Sequence, residues 1–267
     1  MSQKKKWALI LGASSGFGEA AALALARAGR NIFGVHLDRK ATLPNVERIA
    51  RAIGEAGASA RFFNVNAADQ EKRAETMDAI ARTLADEGSP TGGIDLLLHS
   101  LAFGTLKPFV ADAPAERLSP AQIEMTLDVM ASSLVYWTQE VVARGLFADG
   151  GHIFAMTSAG GHRIWKSYGA VSAAKAALES NCRQLAVELV GKRIAVNAIR
   201  AGVTDTPALR KIPDHDQMIE RCLALHPAGR LTVPEDIANV IVALARPETA
   251  WMAGNVLGVD GTEDLVG

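Results

Sequence analysis

Tyr168, Lys175 and Ser158 are the residues whose types and spacing could do chemistry. Tyr168 opens a stretch, to about residue 190, whose alanines, leucines and glutamates read as a helix. Seven steps of about 100° bring Lys175 almost back into line with Tyr168, two turns on, so the two face the same way. Ser158 ends the apolar run 152–158, which reads as a buried strand. A phenol is a poor acid near pH 7, but a nearby ammonium lowers its pKa and favours donation to an oxygen. A serine hydroxyl can support the phenol or the oxygen it serves. By spacing alone, Tyr168 reads equally well as a core aromatic and Lys175 as a solvated helix residue.

The element that would position them starts the chain. Gly12, Ser14, Ser15, Gly16, Phe17 and Gly18 lie in a Gly-x3-Gly-x-Gly turn between an apolar run, 7–11, and an alanine-rich helix former, 19–29, that stops at Gly29. Strand, glycine turn and helix in succession make a nucleotide-binding entry. Glycines let backbone approach a pyrophosphate, and the helix N-terminus offers N–H groups and partial positive charge. Without a ligand the same glycines make a tight strand–helix turn. The second strand, 31–36, leads to Asp38, Arg39 and Lys40, where such a fold meets the adenosine ribose. An acid there favours a free 2′-hydroxyl and a base a 2′-phosphate. Arg39 and Lys40 could hold a phosphate, and His36 stands where an acid often sits, so the reading favours NADP(H) over NAD(H). The alternative is a charged, solvated turn.

Further strands are read at 60–65, 94–99, 152–158, 194–199 and 255–259. Helices are read at about 44–57, 68–87, 119–146, 168–190 and 232–245. Ser119, Pro120 and Gln122 make a capping box for the long middle helix. This alternation predicts an α/β fold: one doubly wound domain, about seven parallel strands with helices on both faces. Ligands should lie past the C-terminal strand ends. That rule gathers the glycine turn, residues 36–39, Asn64 and Val65, residues 100–104, Ser158 and residues 202–206 into one crevice. Residues 202–231 are poorly periodic and broken by Pro207, Pro213 and Pro227. They read as a substrate-covering lid or, with Ala208, Leu209, Ile212, Met218, Ile219 and Leu223 turned inward, as ordinary core.

Composition narrows the function. The 267 residues carry a net charge of −1, which argues against nucleic acid or an anionic membrane as partner. No apolar run approaches a membrane span of roughly 18 residues. The lysine-rich start, 1–6, reads as a solvated tail. Cys182 and Cys222 show no metal or redox spacing, no metal site is read, and a reducing cytoplasm suits them.

Gly12-x3-Gly16-x-Gly18, Asn64-Val65, the Ser158…Lys175 spacing and residues 201–206 together resemble the short-chain dehydrogenase/reductase superfamily, nearly end to end. The usual tyrosine four before the lysine is Val171 here, and the usual middle-helix asparagine is Met130. Tyr168-x6-Lys175, residues 99–103 and Ala201-Gly202 look instead like the enoyl-[acyl-carrier-protein] reductases. Where many of those carry a second tyrosine, this chain has Ser158.

The resemblance implies a single NAD(P)-binding Rossmann domain over 1–267 and reduction of a trans-2-enoyl thioester, possibly on acyl-carrier protein. Tyr168 would hydrogen-bond the thioester oxygen, Lys175 would orient the ribose, and Ser158 would support either. Asn64 and Val65 would meet adenine. Ser100 and Leu101 would line the nicotinamide ribose, and Val203 and Thr206 its carboxamide or the pyrophosphate. Phe103 and Gly104 would meet substrate. It also implies a homotetramer or homodimer through the helices at 120–146 and 168–190. The alternative within the superfamily is a carbonyl reductase or alcohol dehydrogenase acting on a 3-oxoacyl thioester or another ketone, with Ser158 at its customary spacing from Lys175. A catalytically dead NADP(H)-binding sensor would bind without turnover.

Overall fold

In a computed structural model, residues 6–89 and 91–266 are described; most of the basic start, 1–5, lies outside them. The chain alternates as predicted. β1 (Trp7–Leu11) leads to α1 (Gly16–Arg27), β2 (Asn31–His36) to α2 (Leu43–Glu55), and β3 (Ala60–Asn64) to α3 (Gln70–Asp86). β4 (Ile94–His99) is followed by α4 (Pro120–Leu127) and α5 (Ser133–Ala143), then β5 (Phe147–Ser158) and α6 (Gly169–Leu189). β6 (Ala195–Ala201), α7 (His215–Leu225), α8 (Pro234–Leu244), β7 (Val256–Val259) and a short α9 (Glu263–Val266) complete it. The seven strands pair in parallel in the order β3-β2-β1-β4-β5-β6-β7.

Strand residues alternate between two cores because successive side chains leave a strand on opposite faces. Trp7, Leu9 and Leu11 join Met77 and Ile80 of α3, Leu134 and Trp137 of α5, and Leu178 and Cys182 of α6. Ala8 and Ile10 join Ala21 and Leu25 of α1, Ile49 and Ile53 of α2, and Ile237 and Ile241 of α8. Burial on both faces explains why these strands read as continuous apolar runs. The order reverses between β1 and β4, so the loops leaving those two strands diverge and open a crevice.

Two expectations change, and two stretches to which no element was assigned form helices. The middle helix is not continuous: the Ser119 box caps α4 as read, but a π turn over Asp128–Ser132 separates α4 from α5. The Ser133 hydroxyl donates to the Val129 carbonyl at 2.7 Å, and the Ser133 N–H reaches Asp128, five residues back. A hydroxyl that takes over a helical carbonyl loosens the regular ladder. β5 begins at Phe147, earlier than read, with an irregular step before His152 pairs with Leu96. The 202–231 segment contains α7. The acidic stretch after β7 turns into α9.

Candidate active site

The cavity lies where the strand ends place it. It holds about 680 Å³ and is lined from β1's loop by Phe17, from β4's loop by Ser100, Leu101 and Gly104, from β5 by Ser158, and from α6 by Tyr168 and Lys175. Val203 and Thr206 enter from the loop after β6. The proposed catalytic three are therefore brought together, as the seven-residue spacing requires.

Their electrostatics differ from the simple reading. Lys175 is 5% exposed and donates from Nζ to the carbonyls of Met156 at 2.7 Å and Leu101 at 3.4 Å. Burial pushes its pKa down to about 8. Tyr168 also moves against expectation: burial raises its phenol, and a hydrogen bond with Ser158 only partly opposes this. The lysine spends its donors on main chain rather than on the phenol, so the expected lowering is absent. Tyr168 is thus protonated at neutral pH and can donate a hydrogen bond. Ser158 Oγ accepts the Gly160 N–H at 3.0 Å, and Gly160 packs so closely under the Tyr168 ring that a Cβ there would lie 2.4 Å from it.

The β1 turn passes a backbone test for close approach. A Cβ on Gly18 would lie 2.0 Å from the Gly12 carbonyl oxygen, and one on Gly12 (φ +87°) 2.4 Å from the Ser100 oxygen. Gly16 lies beside Thr206, which ties the β1 and β6 loops together. Ser15 precedes α1 without a side-chain cap. Bare backbone at the start of a twelve-residue helix fits a dinucleotide pyrophosphate.

At the β2 end the expectations separate. Arg39 is exposed, and neither it nor Asp38, Asn64 or Val65 lines the cavity. Asp38 turns inward: His36 Nδ1–H donates to its carboxylate at 2.9 Å. Burial raises its pKa, but hydrogen bonds from Ser14, Thr42 and His36 outweigh that and hold it below the usual range. Asn64 is occupied with this turn, accepting the Asp38 N–H at 2.9 Å and donating to the Asp38 carbonyl at 3.0 Å. Val65 is half-buried beside it.

Phe103 was expected to meet substrate; it is 55% exposed and does not line the cavity. Gly104 does, wedged where a Cβ would press on Thr126, Met130 and Val171. Met130 and Val171 are buried with Val129 and Ala174 in a small apolar cluster against Tyr168. In the 202–231 segment Leu209, Ile212 and Cys222 are buried, whereas Leu223 is 44% exposed.

Three features escaped the sequence reading. His99 is fully buried at the end of β4; its Nε2–H donates to Ser133 Oγ at 2.9 Å, and its Nδ1 has no partner. Burial, aided by the nearby Lys175 charge, pushes its pKa down to about 3, so it is neutral. His162 and Arg163 line the cavity from the loop after β5, and Glu263 from α9. Only the acidic run 260–264 hinted at the last, and a solvated tail explains such a run equally well.

Among the described residues no helix is long and apolar enough to cross a membrane.

Known proteins resemble the chain over most of its length. The family model described as Enoyl-(Acyl carrier protein) reductase matches residues 12–261. A similar curated protein is an enoyl-[acyl-carrier-protein] reductase [NADH] of Nostoc sp., 31% identical over 77% of this chain and 76% of its own. Another is a 3-oxoacyl-[acyl-carrier-protein] reductase of Thermotoga maritima, 26% identical over 98% of each. The solved enoyl-[acyl-carrier-protein] reductase (NADH) of Aquifex aeolicus superposes with a TM-score of 0.80 at 22% identity, covering 98% of this chain and 97% of its own, which is a likeness of fold.

Proposed function

The chain belongs to the short-chain dehydrogenase/reductase superfamily, on its enoyl-reductase-like branch, and from that premise we propose that it reduces the carbon–carbon double bond of a trans-2-enoyl thioester. One observation carries the reading. Tyr168 and Lys175 share the cavity floor, while the places where carbonyl reductases of the superfamily carry tyrosine and asparagine hold the buried apolar Val171 and Met130.

The nicotinamide, when bound, supplies the hydride. Backbone of the β1 turn would hold the pyrophosphate, with Thr206 closing on it and Val203 near the carboxamide. Ser100 and Leu101 would border the nicotinamide ribose. Lys175, anchored to two carbonyls, keeps a donor for ribose hydroxyls and puts positive charge beside the reacting centre. Tyr168 donates its phenolic hydrogen bond to the thioester oxygen, where charge grows as the β-carbon is reduced. Ser158 fixes the phenol's orientation. The apolar cluster around Met130 keeps water from the double bond, and residues 202–231 cover the acyl chain.

The inward carboxylate of Asp38 supports NADH rather than the NADPH favoured on Arg39: it can accept from a ribose diol and repels a 2′-phosphate. Ser158, at the spacing from Lys175 that carbonyl reductases of the superfamily use, favours one other reading, reduction of a 3-oxoacyl thioester.

The test is dinucleotide oxidation followed by absorbance, with NADH or NADPH and with either thioester. Turnover of the enoyl substrate that falls about 10²-fold or more in Tyr168→Phe is expected, the usual cost of losing one donor to a developing oxyanion. Turnover of the 3-oxoacyl substrate alone would overturn the enoyl reading.

A further inference from the structure

The four residues of α9 bury no side chain, and Leu265 is 81% exposed. Apolar burial therefore does not fix this segment. Its acids do. The Asp264 side chain is only 12% exposed; it pairs with the guanidinium groups of Arg163 at 2.7 Å and Arg200 at 3.0 Å and meets His162 Nε2 at 3.1 Å. The Arg163 guanidinium also donates to the Asp264 carbonyl. Its neighbour Glu263 accepts the Val203 N–H at 2.8 Å and the Cys222 thiol at 3.3 Å. Asp260, just before, gives its carbonyl to His226 Nε2–H at 3.0 Å.

Adjacent acids thus grip different walls of the cavity. Asp264 ties the turn after β5 to Arg200 at the end of β6, and Glu263 holds the loop after β6 and α7. The first grip leads to the phenol: residues 159–161 form one tight turn, and Gly160 in it touches the Tyr168 ring and donates to Ser158. The second leads to Gly202, where a Cβ would strike Glu263 at 2.7 Å.

We propose that Asp264 is a positioning residue: through His162 and Arg163 it sets the 159–163 turn against which Tyr168 is oriented, with Glu263 setting the opposite wall. The inference rests on the reading of Tyr168 as the oxyanion donor. Loss of the carboxylate frees the turn and lets the phenol leave the substrate oxygen, while the glycine turn after β1 and the end of β2, which would hold the pyrophosphate and adenosine ribose, are left intact.

The experiment compares the full chain with Asp264→Asn, Asp264→Glu, Arg163→Ala and the Asp264→Asn/Arg163→Ala double variant. In Asp264→Asn, amide hydrogen exchange in peptides covering 159–168 is expected to speed up about tenfold, with core-strand peptides unchanged. Enoyl turnover falls about tenfold or more in kcat, since small misplacements of a catalytic group are costly, while NADH affinity stays within about threefold. Asp264→Glu recovers most of the rate. The double variant loses little beyond Asp264→Asn, because Arg163 acts through that carboxylate. Unchanged exchange at 159–168, or uniform acceleration across the chain, would overturn the proposal, as would strictly additive losses. The exchange measurement needs no substrate, so a wild-type protein inert toward enoyl thioesters would count against the proposed reaction and leave the positioning role to be judged by exchange alone.

Discussion

A single buried ammonium sets the chemistry at the residue scale. Lys175 sits among apolar neighbours with two carbonyls to satisfy it, and desolvation brings its pKa down to about 8. The folded value lies below the unfolded 10.5, so between about pH 8 and 10.5 the unfolded chain holds the extra proton. Stability attributable to Lys175 therefore rises with pH across that window, while the charge offered to a ribose and to a developing oxyanion disappears. Fold and function pull in opposite directions on this one proton. Dinucleotide affinity and kcat/KM are expected to fall as pH climbs through about 8. Titrating NADH binding from about pH 6.5 to 9.5 in wild type and Lys175→Arg checks this. Arginine stays charged throughout, so its binding, even if weaker, should be flat. An alkaline limb of the same position in both proteins would assign the titration to another group.

At the element scale the site depends on how closely two backbones cross. α1 leaves β1 through a turn so tight that Gly18 lies against the Gly12 carbonyl, with no flexible side chain to give way. Gly18→Ala is expected to cost about 1–3 kcal/mol, the usual range for overpacking, and to abolish dinucleotide binding. Gly54, inside α2, has nothing within 4 Å of a Cβ position. Gly54→Ala should therefore stabilise by about 0.5–1 kcal/mol through helix propensity. Urea midpoints for the two variants test the contrast; equal effects would mean that the crossing is looser than its geometry. The glycine turn and the strands were legible in the sequence because both are local: a turn residue between two periodic runs, and five apolar residues in succession. The placing of Tyr168 and Lys175 on one helix face was legible because helix period is fixed. The π turn was not, since the Ser133 hydroxyl that takes the Val129 carbonyl also meets His99, 34 residues away in sequence. The direction of Asp38 was not, because His36, Ser14 and Asn64 converge on it only in the folded sheet. Phe103 misled because an aromatic in a strand-end loop carries no mark of which way it points.

Across the whole molecule, the dinucleotide crevice joins both halves of the sheet, because the β1 turn touches the loops after β4 and β6. Ligand bound there should stabilise the entire domain rather than one loop. A ligand at about a hundred times its Kd adds about 2.7 kcal/mol, which for a chain of this size corresponds to a Tm rise of about 5–10 °C. The size of the rise also reads out the β2 end. Asp38 is held ionised by hydrogen bonds from Ser14, Thr42 and His36, and Arg39 is exposed. NADH at a given concentration should therefore raise Tm more than NADPH does. Asp38→Ala should narrow the gap by removing the repulsion, and Arg39→Ala should leave it nearly unchanged. Thermal melts of the three proteins with each dinucleotide decide the matter. A larger rise with NADPH that vanishes in Arg39→Ala would mean that the exposed arginine swings in to hold the phosphate, and that the inward carboxylate yields to it.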